Sequence, residues 1–148
     1  MVTVTPHTKK DKQTMRNVYL GATNGVKKGI RNSLFEIGRE NTRHLQSLFR
    51  DEKKTGRIYF IKGRLHQASA PGEAPAILSG NLFRSVDFNV RGSSEMTFGE
   101  KMFYGEFLEH YMNRPHVKRT ADERGTQNRT ILEDTTHKDI HKRASKGL

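Results

Sequence analysis

The chain has 148 residues, which is room for one domain, and its 27 Lys and Arg residues against 16 Asp and Glu give a formal net charge of +11. Leu, Ile, Val and Phe make up about 22% of the residues, just above the roughly 20% at which charged chains tend not to fold. This composition argues against a self-contained globular monomer. It favours a modest core with solvated arms, or a subunit that completes its surface in an assembly.

The absence of cysteine excludes a disulfide scaffold, a cysteine-ligated metal centre and thiol catalysis. No run of about 18 apolar residues predicts a membrane span, so we expect no membrane association. Residues 1–12 lack the apolar stretch of a secretory signal, so we expect the chain in the cytoplasm or in a particle assembled there.

The charge is concentrated at the two ends of the chain. Residues 1–56 hold 12 basic and 5 acidic side chains and residues 114–148 hold 9 and 5, whereas residues 57–113 hold 6 of each. Clustered cations at the termini are compatible with nearby nucleic acid, because they displace counterions from phosphate. Ordinary solvated helix faces are the equally open alternative.

The N-terminal part of the chain predicts a flexible arm over residues 1–17, followed by a long helix. From Val26 to Leu48, apolar residues recur at spacings of three and four, which predicts a helix of roughly 25–30 residues. Asn41 stands where one further apolar residue would sit. The back of this helix is basic, with Lys27, Lys28, Arg31, Arg39 and Arg43.

The middle of the chain predicts strands and a stiff loop. Residues 57–62, which are apolar on both faces, and residues 64–69 predict two strands with a turn at Lys62-Gly63. Pro71 and Pro75 predict an extended loop after them. Ser79 is a candidate N-cap for a short helix. Residues 86–91 and 95–98 alternate apolar and polar side chains around a Gly-Ser-Ser turn, which predicts a second hairpin with one buried face.

The last part predicts a short helix over residues 102–112 and a weak helix over residues 117–143. The predicted fold class is therefore α+β, with a small, mostly antiparallel four-stranded sheet packed against the long N-terminal helix. We expect one core domain over residues 18–117 and a basic, partly helical C-terminal arm over residues 118–148. The predicted core side chains are Leu82, Phe83, Phe103 and Phe107.

No pattern of catalytic or metal-binding residues is convincing. His137 and His141 would share a helix face, but two ligands do not make a catalytic metal site and the HExxH order is absent. Glu106 and Glu109 beside His110 are more simply a solvated helix face than a hydrolase pair. Phosphate-loop and nucleophile-elbow patterns are missing. We expect no enzyme, no cofactor and no metal site, and a small metal-dependent nuclease is the weakest alternative.

Two segments carry a family resemblance: HQASAPGEAPAILSGNLFRSVDFNV, and YGEFLEHYMNRPHV after the second hairpin. They resemble the small neck, head–tail joining or tail-completion proteins of long-tailed double-stranded-DNA bacteriophages. Members of that family typically show an SAPGEPPA loop, a TGxLRxSI helix start, a YAxxLExG segment and an RPF stretch. Residues 69–76, 79–86 and 104–109 and Arg114-Pro115 match these pieces in order. Ala74 replaces a proline, His116 replaces an aromatic residue, and residues 110–113 lack the usual glycine.

The resemblance implies a non-enzymatic virion protein at the head–tail junction, assembled in the host cytoplasm. It implies a closed homo-oligomeric ring, six- or twelve-fold, that contacts the portal or connector and the tail-terminator or tail-tube proteins. DNA would pass through the channel without being read for sequence.

Two sets of residues are candidates for these contacts. Ring neighbours or partner proteins would contact Pro71, Gly72, Glu73, Pro75, Arg114 and Pro115. Channel DNA or an adjoining ring would face Lys27, Lys28, Arg31, Arg39 and Arg43. A loop that merely connects two elements is an equally open interpretation of Pro71 and Pro75. A small basic nucleic-acid-binding protein is the alternative for the whole chain.

Overall fold

The structure is a computed structural model that describes residues 9–144. Its elements, in chain order, are α1 (Lys9–Asp51), β1 (Ile58–Ile61), β2 (Arg64–Gln67), α2 (Asn81–Ser85), β3 (Val86–Arg91), β4 (Glu95–Glu100), α3 (Gly105–His110) and α4 (Val117–Ala144). The predicted α+β class, the long N-terminal helix, the short helices and the C-terminal helix are confirmed.

The four strands form two separate antiparallel hairpins, with β1 paired to β2 and β3 paired to β4. The prediction of a single four-stranded sheet was wrong in this respect. The loop and helix of residues 68–85 separate the two hairpins along the chain, and only the second hairpin packs broadly against α1. Close packing there depends on Gly38, because a Cβ at that position would lie 2.3 Å from the Phe88 ring.

Helix α1 is longer than the apolar pattern predicted, because it begins at Lys9. Residues 9–17, predicted as part of a flexible arm, are therefore helical, and residues 1–8 lie outside the described part. Gly21, Gly25, Gly29 and Ser33 recur at every fourth position of α1 and are all buried. A stripe of glycine and serine does not contribute to apolar periodicity. The sequence pattern therefore predicted a helix that begins later than the observed one.

Helix α4 runs antiparallel along α1 and covers this small-residue stripe. A Cβ on Gly29 would lie 2.9 Å from the Thr136 Cα, so the two backbones are nearly in contact. Ser33 Oγ lies 3.3 Å from Thr136 Oγ1, and Asn32 Nδ2 donates a hydrogen bond of 2.7 Å to Asp139. The segment predicted as a C-terminal arm from residue 118 is thus helical and packed along α1 as far as residue 144.

The apolar core lies where the C-terminal half of α1 meets the loops and β3. Its buried side chains are Ile37, Leu45, Leu48, Phe49, Ala74 and Val86. Leu82 and Phe83 pack against it half-buried, in agreement with the prediction.

Placing Phe103 and Phe107 in the core was wrong, since their exposed fractions are 90% and 52%. Helix α3 instead turns Gly105 and Leu108 inward. Within residues 9–144, no helix has both the length and the apolar character needed to cross a membrane.

Candidate functional site

An apolar groove of about 370 Å³ opens on the surface beside the core. The end of β2, the loop that follows it, α2 and α3 form its walls, and Phe49 of α1 also lines it. Its large apolar side chains include Ile77, Leu78, Leu82, Phe83, Tyr104, Leu108 and Met112. Ile77, Leu78 and Met112 remain exposed, which leaves apolar surface open to a binding partner.

The β1–β2 hairpin presents a second apolar surface. Phe60 pairs directly with Leu65 across the two strands, and Ile58 lies two residues before Phe60 on the same face. These side chains are 74%, 76% and 59% exposed, respectively. We call this surface, made of Ile58, Phe60 and Leu65, the hairpin face. The sequence prediction of a strand that is apolar on both sides already pointed to it.

The opposite side of the hairpin is turned toward the groove. Tyr59 pairs with His66 on that side, and His66 lines the groove. Successive side chains of a strand point to opposite faces, so the hairpin face is directed away from the groove of its own chain.

The base of the hairpin is rigidly anchored. The Ala68 N–H donates to the Arg57 carbonyl at 3.0 Å, which extends the pairing below the strands. A Cβ on Gly56 would lie 2.6 Å from the carbonyl oxygens of both Ala68 and Ser69, so the chain crosses itself closely there. At the tip, Lys62 and Gly63 both have positive φ, as expected for a tight two-residue hairpin turn.

Glu73 holds the central loop in shape from within. Its carboxylate accepts hydrogen bonds from the Thr55 hydroxyl, from the Ala70 N–H at 2.8 Å and from the Thr55 N–H at 3.0 Å. The bond from the Thr55 hydroxyl is the largest cause that lowers the pKa of Glu73 to about 2, and the two backbone bonds add to it. Glu73 therefore has an internal structural role whether or not it also contacts a neighbour.

The six predicted contact residues differ in exposure. Pro71 and Gly72 are exposed at the loop tip, where the Gly72 N–H donates to the Asn113 carbonyl at 2.6 Å. This bond holds the loop tip beside the segment that leads into Arg114. Pro75 is buried and lines the groove together with Arg114, while Pro115 is half-buried. The role of these residues in contacts between chains stays a prediction.

The five predicted electrostatic residues of α1 are all exposed: Lys27, Lys28, Arg31, Arg39 and Arg43. The Arg31 guanidinium lies 5.8 Å from the centroid of the Phe35 ring, and Arg43 forms an ion pair of 2.6 Å with Glu40. The set is therefore accessible to a polyanion, but part of its charge is already balanced. Contact with DNA or an adjoining ring stays a prediction.

Sequence reasoning missed the buried ionic cluster at the start of α4. The Glu109 carboxylate accepts hydrogen bonds of 3.0 to 3.1 Å from the N–H groups of His116, Val117 and Lys118, which satisfies free donors of the first helical turn. His116 is fully buried, with Nδ1 2.7 Å from Glu109 and Nε2 3.1 Å from Glu100. Gly105 leaves room for the Glu100 carboxylate, which a Cβ would overlap.

The cluster fixes the protonation of its members. Burial lowers the pKa of His116, but the bonds to Glu100 and Glu109 outweigh it and raise the pKa to about 9. Burial likewise raises the pKa of Glu109, and the bonds from His116 and from the backbone reverse this and lower it to about 2. An imidazolium between two carboxylates therefore joins β4, α3 and α4 near neutral pH.

The two histidines that the sequence places on one helix face, His137 and His141, both lie on α4. The rings of His137 and His141 lie side by side on α4 with centroids 5.8 Å apart. Over the described residues, no three His, Asp or Glu side chains are grouped so that they could hold a metal ion.

Comparison with protein-family models, with curated proteins and with solved structures finds no match to this chain. The resemblance to phage neck and tail-completion proteins therefore rests on the motifs at residues 69–86 and 104–115 themselves.

Proposed function

We propose that this chain is a structural subunit of a ring at the head–tail junction of a long-tailed bacteriophage, where it links the connector to the tail around the DNA channel. The observation that carries the proposal is the apolar surface left open at one end of the molecule. The hairpin face lies exposed there, together with the groove side chains Ile77, Leu78 and Met112. Large exposed apolar patches mark interaction sites on soluble proteins.

The sequence motifs agree with the placement of this surface. The loop of residues 69–76 and the helix start of residues 79–86 form one side of the groove, and residues 104–109 form another. The segments that resemble the phage family are thus the segments that build most of the groove. A ring subunit needs such a surface twice, once for each neighbour, because a head-to-tail interface joins two different patches.

The exposed cations of α1 agree with a second part of the proposal, the position around the DNA channel. Helix α1 exposes Lys27, Lys28, Arg31, Arg39 and Arg43, which supplies positive charge at the surface. Such charge would face channel DNA or an acidic neighbouring protein. Phosphate contacts of this kind position a protein on DNA but carry no sequence information.

The decisive experiment is a joining assay with phage particles. A phage that lacks this protein is expected to accumulate DNA-filled heads and free tails, and added purified protein should convert them into infectious particles. Intact virions should contain the protein at the head–tail junction, which antibody labelling in electron micrographs would show. Normal joining without the protein would overturn the proposal.

The alternative function, a small basic nucleic-acid-binding protein, is favoured by the exposed cations of α1 and by the net charge of +11. It predicts that the isolated chain binds duplex DNA. The logarithm of the binding constant should then fall linearly with the logarithm of the salt concentration. The mass of nuclease-treated protein from light scattering at low and high salt separates the two functions. A discrete oligomer at high salt supports the ring, and a monomer that gains mass only with added duplex at low salt supports the alternative.

A further inference from the structure

We propose that a cleft between α1 and the turn of the second hairpin binds the phosphate backbone of duplex DNA. The cleft has a volume of about 670 Å³. One wall is α1 between Asn24 and Phe35, and the other is the hairpin turn at Gly92 and Ser93. We call it the basic cleft. The inference rests on the proposed function for one point only, which is the position of that DNA in the channel.

Three of the five predicted cations of α1 line the basic cleft: Lys27, Lys28 and Arg31. All three are exposed, and within residues 9–144 none of them forms an ion pair. Arg39 and Arg43 do not line the cleft, and Arg43 is already ion-paired. The structure thus singles out a group of three cations that a sequence pattern does not separate from the other two.

The carboxylates in the surroundings of the cleft have other partners. Asp139 of α4 accepts a hydrogen bond of 2.7 Å from Asn32, and Glu36 accepts one from α4. Glu95, which follows the turn, is the direct cross-strand partner of Arg91. None of these carboxylates is among the residues that line the cleft. The three cations are therefore available to an added anion.

The fold gathers positive charge from two distant parts of the chain at this end of the molecule. Residues 16–32 and 136–144 contain seven Lys or Arg residues and one acidic residue, a net charge of +6. Helix α4 brings the two segments side by side, since a Cβ on Gly25 would lie 3.1 Å from the Arg143 Cδ. More than half of the formal net charge of +11 is thus concentrated around the basic cleft.

Arg31 is held in a position suited to phosphate. Its guanidinium carbon lies 5.8 Å from the centroid of the Phe35 ring. The Phe35 ring packs edge-on against Phe88 of β3, with ring centroids 6.1 Å apart. A guanidinium that lies over an aromatic ring keeps the N–H groups at its edge available, and it can bind a phosphate through two parallel hydrogen bonds.

The opposite wall of the cleft is open to close approach. Gly92 has a φ of 59°, and no atom lies within 4 Å of the position that a Cβ would take. Such a glycine lets a ligand come near the backbone of the turn. Ser93 and Asn24 add a hydroxyl and an amide to the lining. Lys, Arg, Ser and Asn side chains and backbone N–H groups are the usual donors to DNA phosphates.

The composition of the cleft favours DNA over an acidic protein. Protein–protein interfaces are depleted of Lys and enriched in aromatic residues, whereas two of the three cations here are Lys. The wall from Asn24 to Phe35 is about 16 Å long, at about 1.5 Å per residue. One strand of duplex DNA presents a phosphate about every 3.4 Å of helix axis, so this wall can follow several successive phosphates.

The test is the binding of the full chain to a short duplex of mixed sequence, measured by fluorescence anisotropy at increasing salt concentration. The unmodified chain should bind with an affinity that falls linearly on logarithmic axes. Lys28→Gln combined with Arg31→Gln removes two cations from the cleft. This double variant should bind about 10-fold more weakly at about 50 mM salt, and its salt slope should be smaller by about 2.

Arg57→Gln combined with Arg64→Gln is the matched control. It removes the same charge from exposed positions on the first hairpin, which follows the other end of α1. Its affinity should change by less than about 3-fold and its salt slope by less than about 1. All four positions are exposed, so both double variants should fold, which thermal melting checks. If the two double variants weaken binding equally, diffuse net charge rather than the basic cleft attracts the duplex, and the proposal is overturned.

A competition experiment distinguishes phosphate from carboxylate. Poly-glutamate is added to the complex of the chain with labelled duplex, in parallel with unlabelled duplex at the same concentration of charge. Unlabelled duplex should displace the labelled duplex at a much lower concentration than poly-glutamate does. Equal displacement would mean that the cleft binds an acidic protein surface equally well, and the assignment to DNA would be wrong.

Failure of the inference can be separated from failure of the proposed function. If the unmodified chain binds no duplex, the inference is wrong, while the joining assay still tests the head–tail position. If the cleft binds duplex but heads and tails join normally without the protein, the head–tail position is wrong and the DNA-binding surface stands.

Discussion

The two ends of the molecule are held together by different chemistry. The distal part of the α1–α4 pair is joined through glycines, hydroxyls and polar pairs such as Asn32 with Asp139. The end with the hairpins and short helices is built on Leu45, Phe49 and their apolar neighbours. Helix packing through small residues depends on close backbone approach, whereas an apolar core depends on the surface removed from water. Substitutions that enlarge a side chain should therefore destabilise the first region most. Substitutions that shorten a side chain should destabilise the second region most.

The largest expected effect comes at the junction of these two regions, where His116 connects β4, α3 and α4. His116→Leu leaves Glu100 and Glu109 buried without their cation, and removal of one partner from a buried ion pair typically costs about 3–5 kcal/mol. Urea denaturation at pH 7 should show this loss in the free energy of unfolding. A matched control is Arg50→Leu, which removes an ion pair with Asp51 whose two members are both exposed, so it should cost far less. If His116→Leu and Arg50→Leu lowered the free energy of unfolding equally, the buried cluster would contribute no more than an exposed ion pair. It would then not join the two regions.

The same cluster predicts how stability depends on pH. The pKa of His116 is raised from 6.5 to about 9, so its contribution is complete below pH 6.5 and is lost as pH rises toward 9. The pKa of Glu109 is lowered from 4.5 to about 2, so its contribution is lost as pH falls from 4.5 toward 2. Thermal unfolding should therefore show greatest stability between about pH 4.5 and 6.5 from this cluster. In His116→Leu the decline above pH 6.5 should be much smaller, and an unchanged decline would assign it to other groups.

The apolar core provides the next largest effect. Leu45 is fully buried, so Leu45→Ala removes contacts and leaves a cavity, at a typical cost of about 2–5 kcal/mol. Leu132 lies on α4 and is 37% exposed, so Leu132→Ala should cost clearly less. Calorimetric melting of both variants compares the same substitution in the two regions. Similar losses would show that the helix pair also depends on apolar burial.

Sequence reasoning predicted the apolar end better than the helix pair. The spacing of Ile37, Leu45 and Leu48 located the core face of α1, and the turn residues Lys62-Gly63 located the first hairpin. These features follow from local propensity and from hydropathy, which a single sequence displays directly. The placement of α3 failed, because its two large apolar residues, Phe107 and Leu108, are adjacent in sequence and a six-residue helix gives no further repeat that would define its inward face.

The helix pair could not be predicted for a different reason. Gly21 and Gly25 precede Val26 and are poor helix formers by themselves, so local propensity disfavours the extension of α1 that the structure shows. Gly25 and Gly29 are buried against residues more than 100 positions away, such as Asp139 and Thr136. The hairpin face was visible in the sequence as an apolar strand on both sides. The groove could not be predicted from the sequence, because five separate segments supply its walls.

Two glycine substitutions test the helix pair directly. Gly29→Val places a branched side chain against the Thr136 backbone, 2.9 Å from the position of its Cβ, and overpacking of this kind typically costs about 1–3 kcal/mol. Hydrogen exchange should show lost protection in the second half of α4 while β3 and β4 stay protected. Gly125→Ala is the contrast, because no atom lies within 4 Å of its Cβ, and helix propensity should stabilise the chain by up to about 1 kcal/mol. Destabilisation by Gly125→Ala would show that α4 packs differently from the structure.

The smallest effect is expected at Phe103, which the apolar pattern placed in the core and the structure places in solvent. With an exposed fraction of 90%, its ring contributes little burial to the folded chain, so Phe103→Ser should change the free energy of unfolding by no more than about 0.5 kcal/mol. The neighbouring Leu108, half-buried in the groove wall, should be clearly more sensitive to Leu108→Ser under the same urea denaturation. The order of these two losses decides whether Phe103, which precedes α3, or Leu108, which lies within it, faces the protein. If Phe103→Ser lowers the free energy of unfolding more than Leu108→Ser does, Phe103 rather than Leu108 faces the core. Helix α3 would then not form the groove wall in the orientation that the structure shows.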